Sequence, residues 1–237
     1  MLRLYLMEAE PLLGAENCAR AQELVEKERS RRAADMKQES AKALCFAAGL
    51  LLAHAVLQAD KQTVCGAVLC ECKEEKRKPV YVSVEEAIAE LQGRNPVETV
   101  KAPRGKPLLQ DSRGLFFNLS HSGTYAACAI SDREVGLDIQ QYKKEVRPAV
   151  VDRVLHETEK KIYAGLPKEE REAFFFRHWA AKEAYVKCTG EGLAKSFAAL
   201  SADFSGGFVT DTQGGASGKL YTAEAPDGYA LAVCRKI

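Results

Sequence analysis

Apolar and polar residues alternate from Leu2 to Met7, the period of a half-buried strand. From Glu16 to Gln38 the chain is highly charged, with Arg29, Arg31, Arg32 and Lys37 closely spaced, which predicts a solvated helix face. Ala43 to Ala59 is almost wholly apolar, interrupted by His54. That stretch is too short to span a bilayer comfortably and predicts a buried helix. Short β-like runs follow at Val64 to Cys70 and Val80 to Val84, then a brief helix over Glu85 to Gln92. Asn95 to Gly114, rich in Pro, Gly and basic residues, reads as a loop. Leu115 to Leu119, Tyr125 to Ser131 and Val135 to Ile139 read as strands separated by turns at Ser122-Gly123 and Asp132-Arg133. A helical region begins near Val146, breaks at Gly165 to Pro167, and continues as a long helix from about Lys168 to Cys188. The tail alternates strands with Gly-rich turns, of which Thr212 to Gly218 is the clearest, and ends in a strand over Tyr229 to Cys234.

The two halves share a plan: a strand, a charged helical segment, a long partly apolar helix, then strands. Glu28 to Val56 and Glu157 to Lys187 occupy equivalent places. The pattern predicts two similar subdomains meeting near residues 131–134, with a site in the cleft.

Composition narrows the function classes. The 237 residues are 46% hydrophobic and 28% charged, ordinary for a globular protein, and the net charge of 34 − 33 = +1 gives no global field toward nucleic acid. Of eight cysteines only Cys70 and Cys72 are close, and C-x-C is neither a zinc nor a thioredoxin spacing, so they read as reduced cytosolic thiols. The four histidines show no ligand spacing, and there is no Walker loop or dinucleotide-binding glycine fingerprint. Glu8 and a short apolar run argue against a signal peptide. No membrane or export signal is visible, which implies a cytoplasmic protein.

Three segments are candidates for chemistry. Asp138 sits in V-G-L-D-I-Q, where an acid is costly to bury without a metal or cationic partner, unless its edge faces water. Gly136 would let another group approach that backbone. On a helix, Phe175, Trp179, Glu183 and Lys187 lie four apart on one face, with Glu183 and Lys187 also readable as an ordinary ion pair. In F-N-L-S-H-S-G, neighbouring strand residues point to opposite faces, so Ser120 and His121 make a poor nucleophile–base pair. His121 beside the turn suits a phosphate or base contact, or is simply a turn histidine.

The order of these elements is more specific than any one of them. R-G-K-P, then F-N-L-S-H-S, then G-L-D-I, then W-x-x-K-E-A-Y-x-K-x-x-G-x-G-L, from about Pro103 to Leu193, resembles the Sfp-type family of 4′-phosphopantetheinyl transferases. The resemblance implies an α+β fold of two pseudo-symmetric subdomains, each a small antiparallel sheet packed with a long helix. Residues 1–132 would supply coenzyme A and carrier contacts, and 133–237 the metal and catalytic helix. It implies transfer of the 4′-phosphopantetheine of coenzyme A, the co-substrate, to a serine of an apo acyl or peptidyl carrier protein, releasing 3′,5′-ADP. Magnesium would be held by Asp138 and Glu183, with Gln140 a further candidate ligand. Glu183 inherits a base role toward the serine, and Lys187 a contact to the reacting phosphates. Lys106, Ser120, His121 and Lys182 match contacts to coenzyme A. The acidic carrier would dock near Lys143 to Lys161, on a monomer.

Three positions depart from the family pattern. Gln140 stands where a second acid is frequent, Tyr142 where threonine is frequent, and Ala43 where an arginine is common before the apolar helix. They motivate a competing expectation, a degenerate paralogue that binds coenzyme A or a carrier without transfer. A hydrolase built on His121 or Glu183 is the third reading, though no nucleophile has a credible base.

Overall fold

The computed structural model describes residues 1–64, 76–112, 114–143, 145–192 and 195–237, with backbone alone for 62–64 and 76. The first half runs β1 (Leu2–Glu8), α1 (Ala15–Leu24), α2 (Lys27–Ala34), α3 (Glu39–Val64), β2 (Lys76–Arg77), β3 (Val80–Tyr81), α4 (Val84–Leu91), β4 (Thr99–Lys101), β5 (Pro107–Leu109), β6 (Phe116–Ser122) and β7 (Tyr125–Ser131). The second half runs β8 (Val135–Gln141), α5 (Pro148–Val154), α6 (Glu157–Gly165), α7 (Lys168–Thr189), β9 (Leu200–Asp203), β10 (Phe208–Asp211), β11 (Ser217–Ala223) and β12 (Tyr229–Lys236).

One sheet has the order β3-β1-β7-β6, and α3 packs on β1 and β7. The other has the order β8-β12-β11-β10-β9, with β2 pairing β11, and α7 packs on β8 and β12. The fold is therefore α+β, each main sheet carrying one long helix. By length and composition α3 is apolar enough to cross a membrane. Here that surface is spent on the core, with Phe46, Leu50 and Leu51 at 1% exposure or less. Helix ends follow from local chemistry. Ser83 caps α4 by accepting from Glu86 N, His156 and Glu159 form a capping box on α6, and Gly190 closes α7 at φ 71°, which a Cβ would strain.

A third apolar cluster, including Leu4, Leu6, Leu137, Ile139 and Leu231, lies between the two sheets. There the edge strands β6 and β8 face each other. The backbone N–H groups of Leu137, Ile139 and Gln141 donate to side chains of β6: Asn118 Oδ1 at 2.9 Å, Ser120 Oγ at 3.3 Å and Ser122 Oγ at 3.0 Å. Left unpaired in a buried setting, each such N–H would cost about 1–3 kcal/mol. The polar half of F-N-L-S-H-S thus replaces a backbone ladder and joins the halves.

Some expectations change. Residues 95–114 hold the antiparallel pair β4–β5, because Glu26 of the preceding helical region accepts from Thr99 N and Thr99 Oγ1 at 3.1 and 2.7 Å. The run Val80 to Val84 splits: β3 ends at Tyr81 and the capped helix α4 begins at Val84. The run expected over Val64 to Cys70 lies, beyond Val64, outside the described residues, as do Cys65, Cys70, Cys72 and Leu193.

Candidate active site

Gly136 decides how closely the helix approaches the strand. A Cβ there would lie 2.0 Å from Ala184 O and 2.4 Å from Cys188 N. Without one, α7 rests directly on β8, and Glu183 and Lys187 come up beside Asp138. Asp138 is 2% exposed and fully engaged. Its Oδ1 accepts from Lys187 Nζ at 2.6 Å and Ser120 Oγ at 2.8 Å, and its Oδ2 accepts from Gln140 Nε2 at 2.8 Å. Lys187 also donates to Leu137 O and Ser120 Oγ, both at 3.1 Å. The partner of Lys187 is thus Asp138, and the same-helix pair with Glu183 is not among the ion pairs of the described residues.

Glu183 is half-buried, and its carboxyl is held above the usual glutamate range, first by burial and then by the Asp138 charge, with Lys187 opposing. It stands at the junction of two cavities. One, of about 410 Å³, is also lined by Lys106, Asn118, Lys187 and Gly190. The other, of about 670 Å³, is lined by Arg153, Trp179, Lys195 and Phe197. Lys106 comes from the β4–β5 hairpin, whose tip turns at Gly105 (φ 84°). Its Nζ donates to Cys188 O at 2.9 Å, and burial lowers its pKa.

Pro107 and Leu119 line both the first cavity and a third, of about 440 Å³, whose wall holds Arg29, Arg32, Lys101 and His121 together with Glu26 and Glu28. His121 faces it because Ser120 faces the seam. Burial, Lys187 and Arg32 all lower the pKa of His121, in that order. Three cavities therefore adjoin through shared residues: one of mixed charge on the first half, a cationic and acidic one between the halves, and one holding Trp179 and Phe197 on the second half.

Lys182 is placed differently from the other expected site residues. It is fully buried, and its Nζ donates to Glu159 and to Val154 O. Burial outweighs the Glu159 charge and lowers its pKa to about 8. In this structure it braces α7 against α6 rather than facing the cavities. Ala43 is likewise in the core, while Tyr142 stacks on Phe176 at 5.8 Å. Arg29 was expected on a solvated face but is 7% exposed, donating to Cys45 O at 3.3 Å. Its apolar neighbour Gly49, across the turn, is the signal that could have placed it, since a Cβ there would meet Arg29 Cδ at 2.5 Å.

The sequence model of the 4′-phosphopantetheinyl transferase superfamily matches residues 134–234, which hold Asp138, Glu183 and Lys187. Over these residues the chain is similar to that superfamily. Similar proteins include the 4′-phosphopantetheinyl transferase psf-1 of Bacillus pumilus, 33% identical over 56% of this chain and 58% of the relative. HetI of Nostoc sp. is 41% identical over 39% of this chain and 41% of its own length. Sfp of Bacillus subtilis is 30% identical over 55% and 59%. The matches thus span about half the length of these phosphopantetheinyl transferases.

Among the described residues no cluster of three or more His, Cys, Asp or Glu forms a closed metal cage. An open magnesium site takes one or two carboxylates and completes its octahedron with water and substrate phosphate oxygens, and Asp138 and Glu183 are the carboxylates that would supply one here once Asp138 gave up a present partner. With Gln140 Nε2 turned to Asp138, the amide oxygen is the end left to ligate a metal or accept a hydrogen bond.

Proposed function

We propose that this protein transfers the 4′-phosphopantetheine moiety of coenzyme A to a serine hydroxyl of an acyl or peptidyl carrier protein, releasing 3′,5′-ADP. The observation that carries the proposal is the convergence of Glu183, Lys187 and Lys106 on one cavity, with Asp138 held against Lys187 beneath it, and an adjoining cavity that holds Arg29, Arg32 and His121. Coenzyme A has a matching distribution of charge. Its 3′-phosphate suits Arg29, Arg32 and His121, which take the part of the missing arginine at Ala43. Its pyrophosphate suits Lys106 and Lys187, and its uncharged arm the cavity lined by Trp179 and Phe197.

In the reaction the serine oxygen bonds to the phosphorus bearing the pantetheine arm, and the bond from that phosphorus to the oxygen of the 5′-phosphate breaks. Glu183 accepts the serine proton, a role its raised pKa favours. Lys187 and Lys106 stabilise the charge gathering on the leaving phosphate. Magnesium held by Asp138 and Glu183, with Gln140 beside them, would neutralise further phosphate charge. Exposed Lys143, Arg147, Arg153 and Lys161, with Ile162 at 55% exposure, give an acidic carrier a basic and apolar face near the site. We place the protein in the cytoplasm, acting as a monomer, without nucleic acid or membrane.

The test is the intact mass of several apo carrier proteins after incubation with this protein, coenzyme A and magnesium, beside a chelator control. A gain of one phosphopantetheine, lost with chelator, is the expected result. Coenzyme A binding without transfer to any carrier would overturn it in favour of a binding paralogue.

A further inference from the structure

Asn118 has both a structural tie and a free end. It is 5% exposed on β6, and its Oδ1 accepts from Leu137 N at 2.9 Å. A backbone N–H only donates, so this bond fixes which way the amide is turned. The Nδ2 end then carries two donors, and no described residue accepts from them. Asn118 lines the cavity of Lys106, Glu183 and Lys187. Amide donors sharing a cavity with two ammonium groups suit an anion with several acceptor oxygens.

We infer that Asn118 is a substrate-binding residue whose Nδ2 donates to the pyrophosphate of coenzyme A, its orientation set by the Leu137 N–H. The inference rests on the coenzyme A reading of the cleft. Asn118 gives directional recognition where the lysines give charge. It also ties recognition to the β6–β8 seam, since the bond that aims the amide is one of three such bonds that join the two sheets.

The experiment compares wild type, Asn118→Asp and Asn118→Ala by isothermal titration calorimetry, using coenzyme A and adenosine 3′-phosphate, which lacks the pyrophosphate. Asn118→Asp keeps the acceptor for Leu137 N and replaces the two donors with a carboxylate oxygen, so it carries the test if Asn118→Ala fails to fold. Loss of one hydrogen bond to a charged group predicts at least about tenfold weaker coenzyme A binding in Asn118→Ala. Asn118→Asp should be weaker still, and adenosine 3′-phosphate should bind all three within about threefold. Wild-type affinity in Asn118→Asp, or equal losses for both ligands, would overturn the role of Asn118 alone. A wild type that binds neither ligand would overturn the coenzyme A reading itself.

Discussion

Gly136→Ala tests the closest contact in the site. The added Cβ would sit 2.0 Å from Ala184 O, 2.4 Å from Cys188 N and 2.9 Å from Cys188 Cα, all backbone atoms of α7 that no rotamer change can move. Reaching ordinary contact near 3.4 Å requires α7 to lift by about 1.4 Å. Overpacking of this kind costs roughly 1–3 kcal/mol, and the rigidity of the obstacle argues for the upper end. For a chain of this length that corresponds to a loss of about 5–10 °C in Tm. The lift also carries Lys187 away from Asp138, from 2.6 Å toward about 4 Å, and displaces Glu183 with it. Misplacement of catalytic groups by about 1 Å lowers rates roughly 100-fold. Thermal unfolding by circular dichroism and carrier modification followed by mass spectrometry, run below the variant's Tm, read the two effects separately. A Gly136→Ala protein with wild-type Tm and rate would refute the direct seating of α7 on β8, and with it the account of how Asp138 and Glu183 meet.

Other substitutions separate the remaining roles. Glu183→Gln should lower the transfer rate by about 100- to 10,000-fold. Because folding raises the Glu183 pKa, wild-type stability falls as pH rises through the window from the ordinary glutamate value up to that raised value. The Gln variant, which has no carboxylate to ionise, should therefore unfold at neutral pH no more readily than wild type; a clear loss of stability would contradict this. The same raised pKa places the acid limb of the wild-type pH–rate profile above the usual glutamate value, and a limb at or below that value would exclude Glu183 as the base. Lys182→Met strands Glu159 in the core and should cost about 3–5 kcal/mol by urea unfolding. Coenzyme A affinity per folded molecule should hold, whereas a selective loss of affinity would restore Lys182 as a substrate contact. Gln140→Glu should tighten manganese binding measured by paramagnetic resonance, and unchanged affinity would place Gln140 outside the metal shell. Arg32→Ala should weaken coenzyme A more than dephospho-coenzyme A, and equal losses would move the 3′-phosphate elsewhere.

What was legible in the sequence was whatever local pattern controls. Alternation gave β1, the turns at Ser122-Gly123 and Asp132-Arg133 bounded β7, and the four-residue stripe gave the face of α7 that carries Glu183 and Lys187. Asp138 declared itself as an acid in an apolar strand. The rest depends on partners distant in sequence. The β4–β5 hairpin looks like a loop because its ordering group is Glu26, 73 residues from Thr99. Arg29 looks solvated because its burial depends on Gly49 leaving room. Lys182 matches a substrate contact by motif, while its partner Glu159 is supplied by a different helix. Ser120 and Ser122 fall beyond the strand read over Leu115 to Leu119, because what keeps them in β6 is the bonding of β8 backbone N–H groups to their side chains, as to that of Asn118.

That last arrangement bears on how such a site can change over time. Peptide geometry fixes the gap between strands in an ordinary sheet at about 4.8 Å, and no substitution alters it. Across β6 and β8 the spacer is a side chain, so the distance between the halves is written in residue types. Exchanging serine for the longer asparagine at a single position would adjust the breadth of the cleft floor while both sheets keep their internal register. Selection for a bulkier or slimmer substrate would thus have a graded dial within one seven-residue strand.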